Sequence, residues 1–139
     1  MGAAQPSADC PLTEDQTSCS RVLACFGETG RWFEGRAVGR GLGTVAGTTN
    51  DGVTCTGVWT SENGDGQGEA RVTCDDGLAV TVITTYQDYY TGTAIGQGVA
   101  NTGVAVTSWS GLHVLEFLIR ESASGAPTLP CGTADIPVS

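Results

Sequence analysis

The sequence contains no lysine: all six of its basic residues are arginine. That absence removes Schiff-base chemistry and the phosphate cradle of a Walker loop, both of which need a lysine amine. Histidine is nearly as scarce, with His113 alone, and no Cys-x-x-Cys spacing occurs, which argues against zinc sites. No apolar run approaches the roughly 18 residues that a membrane-crossing helix needs. A basic, hydrophobic leader is missing too. The start Met1-Gly2-Ala3-Ala4-Gln5-Pro6-Ser7-Ala8 reads as the polar beginning of a mature exported chain, with Met1-Gly2 standing in place of a removed signal peptide. No Leu-x-x-Cys precedes Cys10, so a lipid anchor lacks support. Positive charge is short overall: 15 acidic residues against six basic ones give a net charge of −9. Phosphate backbones and anionic lipid surfaces are repelled by that balance. The expectation is no nucleic-acid partner and no membrane insertion.

What the chain does hold is cysteine and glycine, six and 21 of its 139 residues. The length suits one domain, because two cores would leave about 70 residues each. An even cysteine count in a small, acidic chain reads as three disulfides and an oxidising compartment, periplasmic or secreted. Apolar residues make up 40%, enough for a modest core.

Residues 1–18 read as a polar N-terminal arm, 19–131 as a single β domain and 132–139 as a C-terminal tail. Within the domain, short β-branched or aromatic runs alternate with glycine-rich punctuation. Val22 to Phe26 pairs with Arg31 to Val38, and Thr44 to Thr49 with Val53 to Thr60 across Asn50-Asp51-Gly52. Gln67 to Cys74 pairs with Leu78 to Tyr86 across Asp75-Asp76-Gly77, and Thr93 to Ala100 with Val104 to Trp109 across Asn101-Thr102-Gly103. Asn and Asp-Gly suit the positive φ of hairpin turns. Leu78, Val80 and Val82 alternate with Ala79, Thr81 and Ile83, so this run reads as a central strand covered on both faces. Leu112 to Ser122 fits a short C-terminal helix or a last strand almost equally. Pro127 and Pro130 read as ends of regular structure. The fold class is all-β: an antiparallel meander of consecutive hairpins, a twisted sheet or small barrel, stapled by disulfides.

Two nine-residue segments, Phe33 to Gly41 and Tyr90 to Gly98, share the pattern aromatic-x-Gly-x-Ala-aliphatic-Gly-x-Gly. A third Gly-x-Gly occupies residues 66–68. Self-similarity at such a period marks an array of one hairpin per repeat. Cys55-x-Gly57-x-Trp59, then Gly66-x-Gly68 and Asp76-Gly77, resembles the MORN repeat pattern of Tyr-x-Gly-x-Trp, Gly-x-Gly and Asp-Gly. Cys stands where the repeat has Tyr, and the Asp-Gly falls about two residues late. The resemblance implies hairpin geometry and contact with protein or lipid, of which the negative charge disfavours anionic lipid. The whole chain also resembles exported proteins of high-GC alphaproteobacteria.

A hairpin looped at Gly64-Asp65 sets Cys55 opposite Cys74 and predicts a disulfide between them. Two-residue registry makes this a hydrogen-bonded pair, so a bulge near Gly57 or Gly68 is expected. Of the three pairings open to the remaining cysteines, Cys25–Cys131 with Cys10–Cys19 ties down both termini.

His113, with Ser108 or Ser110 and Glu116, allows a triad to be imagined, but no Gly-x-Ser-x-Gly elbow is present. No catalytic residue is assigned. Glu62 to Glu69 concentrates carboxylates and glycines as calcium loops do, yet matches no calcium-loop spacing and reads as a hairpin tip. Neither metal nor cofactor is expected. Gly39-Arg40-Gly41-Leu42-Gly43 lacks the following helix of a nucleotide fingerprint. Trp59 and Trp109 read as core. Tyr86, Asp88, Tyr89, Tyr90 and Trp32 are the candidate binding residues, with aromatic faces to stack on sugars or grip a chain and an acid to bond hydroxyls. The resulting expectation is an exported, non-enzymatic structural or interaction module that binds glycan or another extracytoplasmic protein. The competing class is a small secreted hydrolase or enzyme inhibitor, whose mark would be two carboxylates about 5–10 Å apart in an aromatic cleft.

Overall fold

The computed structural model describes residues 19–111, 113–121 and 128–137. Eight runs with a period of two and a turn after each dictate the architecture. They form β1 (Cys19–Phe26), β2 (Arg31–Arg40), β3 (Leu42–Thr49), β4 (Thr54–Thr60), β5 (Glu69–Cys74), β6 (Ala79–Asp88), β7 (Thr93–Ala100) and β8 (Ala105–Gly111). Each pairs antiparallel with the next, and β8 returns to β1 through Leu23↔Trp109 and Phe26↔Val106, closing a barrel. Inside, Phe26, Phe33, Val45, Leu78, Val80 and Val106 pack with Cys55 and Cys74 into an apolar plug. This plug fills the end that carries the β1–β2, β3–β4, β5–β6 and β7–β8 turns. Solvent-facing positions such as Thr48, Thr56, Arg71, Thr73, Thr81 and Gln97 are polar, unlike a lipid-facing band. No helix among the described residues is long and apolar enough to cross a membrane.

A second core lies outside the barrel wall. Leu23 on β1, with Trp32, Ile95 and Trp109 from neighbouring strands, is covered by α1 (Val114–Glu121) and by the hairpin of β9 (Thr128–Cys131) and β10 (Ala134–Pro137). Helix wins over strand here because Val114, Phe117 and Leu118 make one buried stripe. Glu116 in the first turn and Arg120 in the last also suit the helix dipole. Cys25–Cys131 bolts this layer to β1, with Cα atoms 5.6 Å apart. Cys19 is disulfide-bonded as well, and the expected partner Cys10, like the arm of residues 1–18, lies outside the described residues.

The register expected for Cys55 and Cys74 holds, but its parity does not. Eight residues, 61–68, join β4 to β5, so two-residue turn geometry does not apply. Asp75 N–H donates to the Thr54 carbonyl at 2.9 Å, which makes 54/75 the hydrogen-bonded pair. Cys55 and Cys74 are therefore a close, non-hydrogen-bonded pair with Cα atoms 3.9 Å apart, and the ladder needs no bulge. The register shift falls instead on β6, between Thr84 and Tyr86.

Other expectations change with closure. Only one face of β6 is covered: Val80 and Val82 are buried in the lumen while Thr81 faces water. Pro130 does not end regular structure but pairs with Asp135, a place proline tolerates because each strand of a two-stranded sheet has a free edge. In the β3–β4, β5–β6 and β7–β8 turns, positive φ belongs to Gly52, Gly77 and Gly103 and not to the Asn and Asp residues. The asparagines do something else. Asn50 latches the neighbouring hairpin, accepting from Trp32 N–H and donating to the Gly30 carbonyl, both at 3.0 Å. Asn101 does the same with Ala79 N–H and the Gly77 carbonyl, again at 3.0 Å.

The MORN reading is overturned. A linear array would make its Gly-x-Gly units equivalent, whereas here Gly39 to Gly41 and Gly66 to Gly68 lie at strand connections and Gly96 to Gly98 in mid-strand. Phe33 fills the lumen while its supposed counterpart Tyr90 sits in an exposed turn. What repeats is the hairpin that any up-and-down barrel is made of.

Across the plugged end, Arg31 reaches Asp51 at 3.2 Å and Asp76 at 2.8 Å, tying the β3–β4 and β5–β6 turns together. Both carboxyls are held below the usual carboxylate range, Asp51 chiefly by the Thr49 hydroxyl and Asp76 chiefly by the Leu78 N–H, with Arg31 adding to each. Folded values below unfolded ones mean that the clasp stabilises fully above about pH 4 and fades as pH falls through the folded values. The urea midpoint is expected to drop as the buffer is taken below about pH 4. An Asp51→Asn/Asp76→Asn variant starts lower at neutral pH and falls less steeply; parallel curves would show that the clasp contributes nothing.

Candidate functional site

Above the plug the lumen is not filled. A cavity of about 270 Å³ runs from Phe26, Phe33 and Cys74 toward the opposite end, where Ser61, Gly68, Gly92 and Gly111 line it. Small inward residues leave this space: Ala37, Ala70, Ala94 and Gly96 occupy wall positions where larger side chains would meet. The two halves of the wall differ. Strands β2 to β5 contribute Ala37, Val45, Trp59, Ala70 and Val72, with the Thr60/Glu69 pair at the open end. The other half adds Thr84 on β6, Ser108 and Ser110 on β8, and Ser20 on β1, with Gln87 toward the open end. Among the described residues these four hydroxyls make no hydrogen bond to the protein. The Trp59 indole N–H is already spent on the Val38 carbonyl at 3.2 Å, leaving its ring as apolar wall.

Among the described residues one carboxylate lines the cavity, Glu69, and both its oxygens are engaged, by the Asn63 amide at 3.1 Å and by Arg71. Its carboxyl lies below the usual range, chiefly through the Arg71 hydrogen bond. The adjoining loop also consumes its own acceptors. Glu62 accepts from Gly64 and Gly66 N–H, both at 2.9 Å, and Asn63 from Asp65 N–H at 2.8 Å, the bonding of a hairpin tip. No cluster of three or more His, Cys, Asp or Glu that could hold a metal occurs among the described residues.

The sequence-derived candidates scatter over three places. Tyr89 and Tyr90 sit in the β6–β7 connection beside the mouth, 86% and 82% exposed. Asp88 ends β6 just before that connection, accepting from the Thr91 hydroxyl and from Arg120 of α1, both at 2.7 Å. The Thr91 hydroxyl, first, and Arg120 keep its carboxyl below the usual range. Arg120 also lies 5.9 Å from the Tyr90 ring and 5.5 Å from Phe117, which pins the connection to α1. Tyr86 pairs with Ile95 on the outer side of the wall. Trp32 belongs to the outer core, toward the plugged end. Ser108 and Ser110 face the lumen, whereas His113 and Glu116 are exposed, so the imagined triad is not assembled. The lumen residues Ser20, Trp59, Thr84, Ser108 and Ser110 were not singled out as binding groups. Parity with Val106 would have placed both β8 serines inside, had closure been known.

Solved structures share this architecture. The redesigned β-barrels mFAP0 and mFAP1, both bound to DFHBI, match with TM-scores of 0.52 and 0.51 at 17% identity. Each match covers 68% of this chain, and 95% and 92% of theirs respectively. A fluorescence-activating β-barrel designed de novo matches with a TM-score of 0.52 at 9% identity, over 71% of this chain and 94% of its own. The likeness is one of fold. No family model and no curated protein matches the sequence, so neither the MORN resemblance nor the one to exported alphaproteobacterial proteins stands.

Proposed function

We propose that the protein is an exported, non-enzymatic binding protein that holds a small, largely apolar ligand inside its barrel. The observation that carries this reading is the cavity of about 270 Å³ above an apolar plug. An eight-stranded barrel is just wide enough to hold one small ligand when its wall residues are small. Redesigned barrels of the same architecture are bound to DFHBI, which supports lumen occupancy as a use of this shape. The disulfides Cys25–Cys131 and Cys55–Cys74 support an oxidising, extracytoplasmic setting. A hydrolase acting through paired carboxylates finds little support, because among the described residues Glu69 is the single acid on the cavity wall and is already paired.

The neutral naphthalene dye prodan is the probe. Its emission is expected to rise and shift to the blue on mixing with the protein. Ala94→Phe, which puts a ring into the cavity, should weaken binding about tenfold or more while leaving the circular dichroism unchanged. Equal binding to both proteins would place the dye elsewhere and remove the proposal.

A second reading keeps Tyr86, Asp88, Tyr89 and Tyr90 as a contact for glycan or another extracytoplasmic protein. It rests on the exposure of Tyr89 and Tyr90, unusual for large rings. A glycan array that gives no signal with the wild type, or the same signal with Tyr89→Ala/Tyr90→Ala, eliminates the glycan form of it.

A further inference from the structure

We infer that the ligand is a compact, uncharged ring compound whose hydroxyl or carbonyl groups lie along one edge. The inference rests on the lumen reading above and adds the chemistry of the occupant. Charge is decided first. None of the five arginines whose side chains are described lines the cavity and the chain has no lysine, so an anion entering the lumen loses hydration without gaining an oppositely charged partner among the described residues. A cation fares no better, since both oxygens of Glu69 are taken by Asn63 and Arg71.

The unlike walls then orient a neutral guest. Ser108 pairs across the lumen wall with Gly96, and Gly96 with Thr84, so two hydroxyls flank a position that has no side chain. A Cβ on Gly96 would stand 2.9 Å from Ser108 Oγ and 2.4 Å from Val82, so that hydroxyl stands over the glycine, leaving no room even for a methyl group. Ser110 continues this polar strip toward the mouth, on the same face of β8. The four lumen hydroxyls, with no protein partner among the described residues, can each donate and accept. Facing them, Trp59 with its N–H already bonded, Ala70 and Val72 offer only apolar surface. A ring with polar groups on one edge satisfies both walls at once. A purely apolar guest leaves the hydroxyls unpaired, and a long chain exceeds the space.

Competition against prodan with one ring system tests this: naphthalene, 2-naphthol, 2-naphthoate and 2-naphthylmethylammonium. 2-Naphthol is expected to bind about tenfold tighter than naphthalene, and both ions at least tenfold weaker than 2-naphthol. In Thr84→Val/Ser108→Ala, 2-naphthol should fall to the level of naphthalene while naphthalene itself binds as before, which also shows that the barrel is intact. Naphthalene binding as well as 2-naphthol, either ion matching it, or the advantage surviving the double substitution overturns the inference and leaves the lumen reading standing. If neither prodan nor any naphthalene binds, the lumen reading itself fails and the inference falls with it.

Discussion

Replacing Cys25 and Cys131 together with alanine is expected to lower the unfolding free energy by about 5 kcal/mol. The bridge closes 106 residues, nearly the whole of the described chain, so its loss returns the largest loop entropy to the unfolded state. Cys55–Cys74 spans only 19, for which the same argument gives about 3 kcal/mol. The larger effect also has a structural side. Cys25–Cys131 is the covalent tie between β1 and the β9–β10 hairpin, and buried Cys131 packs with Leu23 and Ile136 in the outer core. Small domains hold about 5–15 kcal/mol in total, so the variant should sit near the edge of folding. Guanidinium unfolding with both variants decides it, and hydrogen exchange should show the β9–β10 amides opening first. A loss below about 1 kcal/mol for Cys25→Ala/Cys131→Ala would mean that packing alone holds the outer layer.

Gly57→Ala and Gly98→Ala are each expected to destabilise by about 3 kcal/mol or more, large for one methyl group. Neither glycine has positive φ, so conformational freedom is not the reason. Both face the lumen where neighbouring strands cross closely. A Cβ at Gly57 would lie 2.0 Å from the Arg71 carbonyl oxygen and 2.7 Å from the Val72 Cα. At Gly98 it would lie 1.9 Å from the Thr81 carbonyl oxygen. These are backbone atoms of the ladder and cannot move aside, so the wall itself must open. Gly64 is the control. It has φ of 97° but open space around it, and Gly64→Ala should cost only about 1 kcal/mol. Thermal unfolding of the three variants checks the order; Gly57→Ala and Gly98→Ala no worse than Gly64→Ala would show that the strands can separate without penalty.

These glycines show what was legible in the chain and what was not. Every strand of the barrel was readable because period two, β-branched residues and turn glycines are local signals. So was the pairing of Cys55 with Cys74, since facing positions follow from strand order. Its parity was not, because the hydrogen bonding of 54 with 75 depends on the eight-residue connection between the strands. The β9–β10 hairpin was hidden by Pro130, which stops most strands but not one with a free edge; Pro127 lies outside the described residues. For the site, the reading favoured tyrosines, which carry a visible functional group. The lumen serines looked ordinary. Ser108 and Ser110 become interesting only when β8 closes on β1 and turns their face inward.

The amino-acid order by itself determined the all-β class, the eight strands, their consecutive pairing and the disulfide Cys55–Cys74, because each follows from neighbours, turns or simple opposition along hairpins. Cys25–Cys131, by contrast, was one of three open pairings until the fold brought β1 and β9 together. Tertiary structure alone decided closure, and with it which face of each strand is inside. Residues far apart in the chain, Leu23 and Trp109, must meet for that to happen. Inside and outside are properties of the closed sheet, so a cavity between Trp59 on one wall and Ser108 on another has no counterpart in any local stretch of sequence.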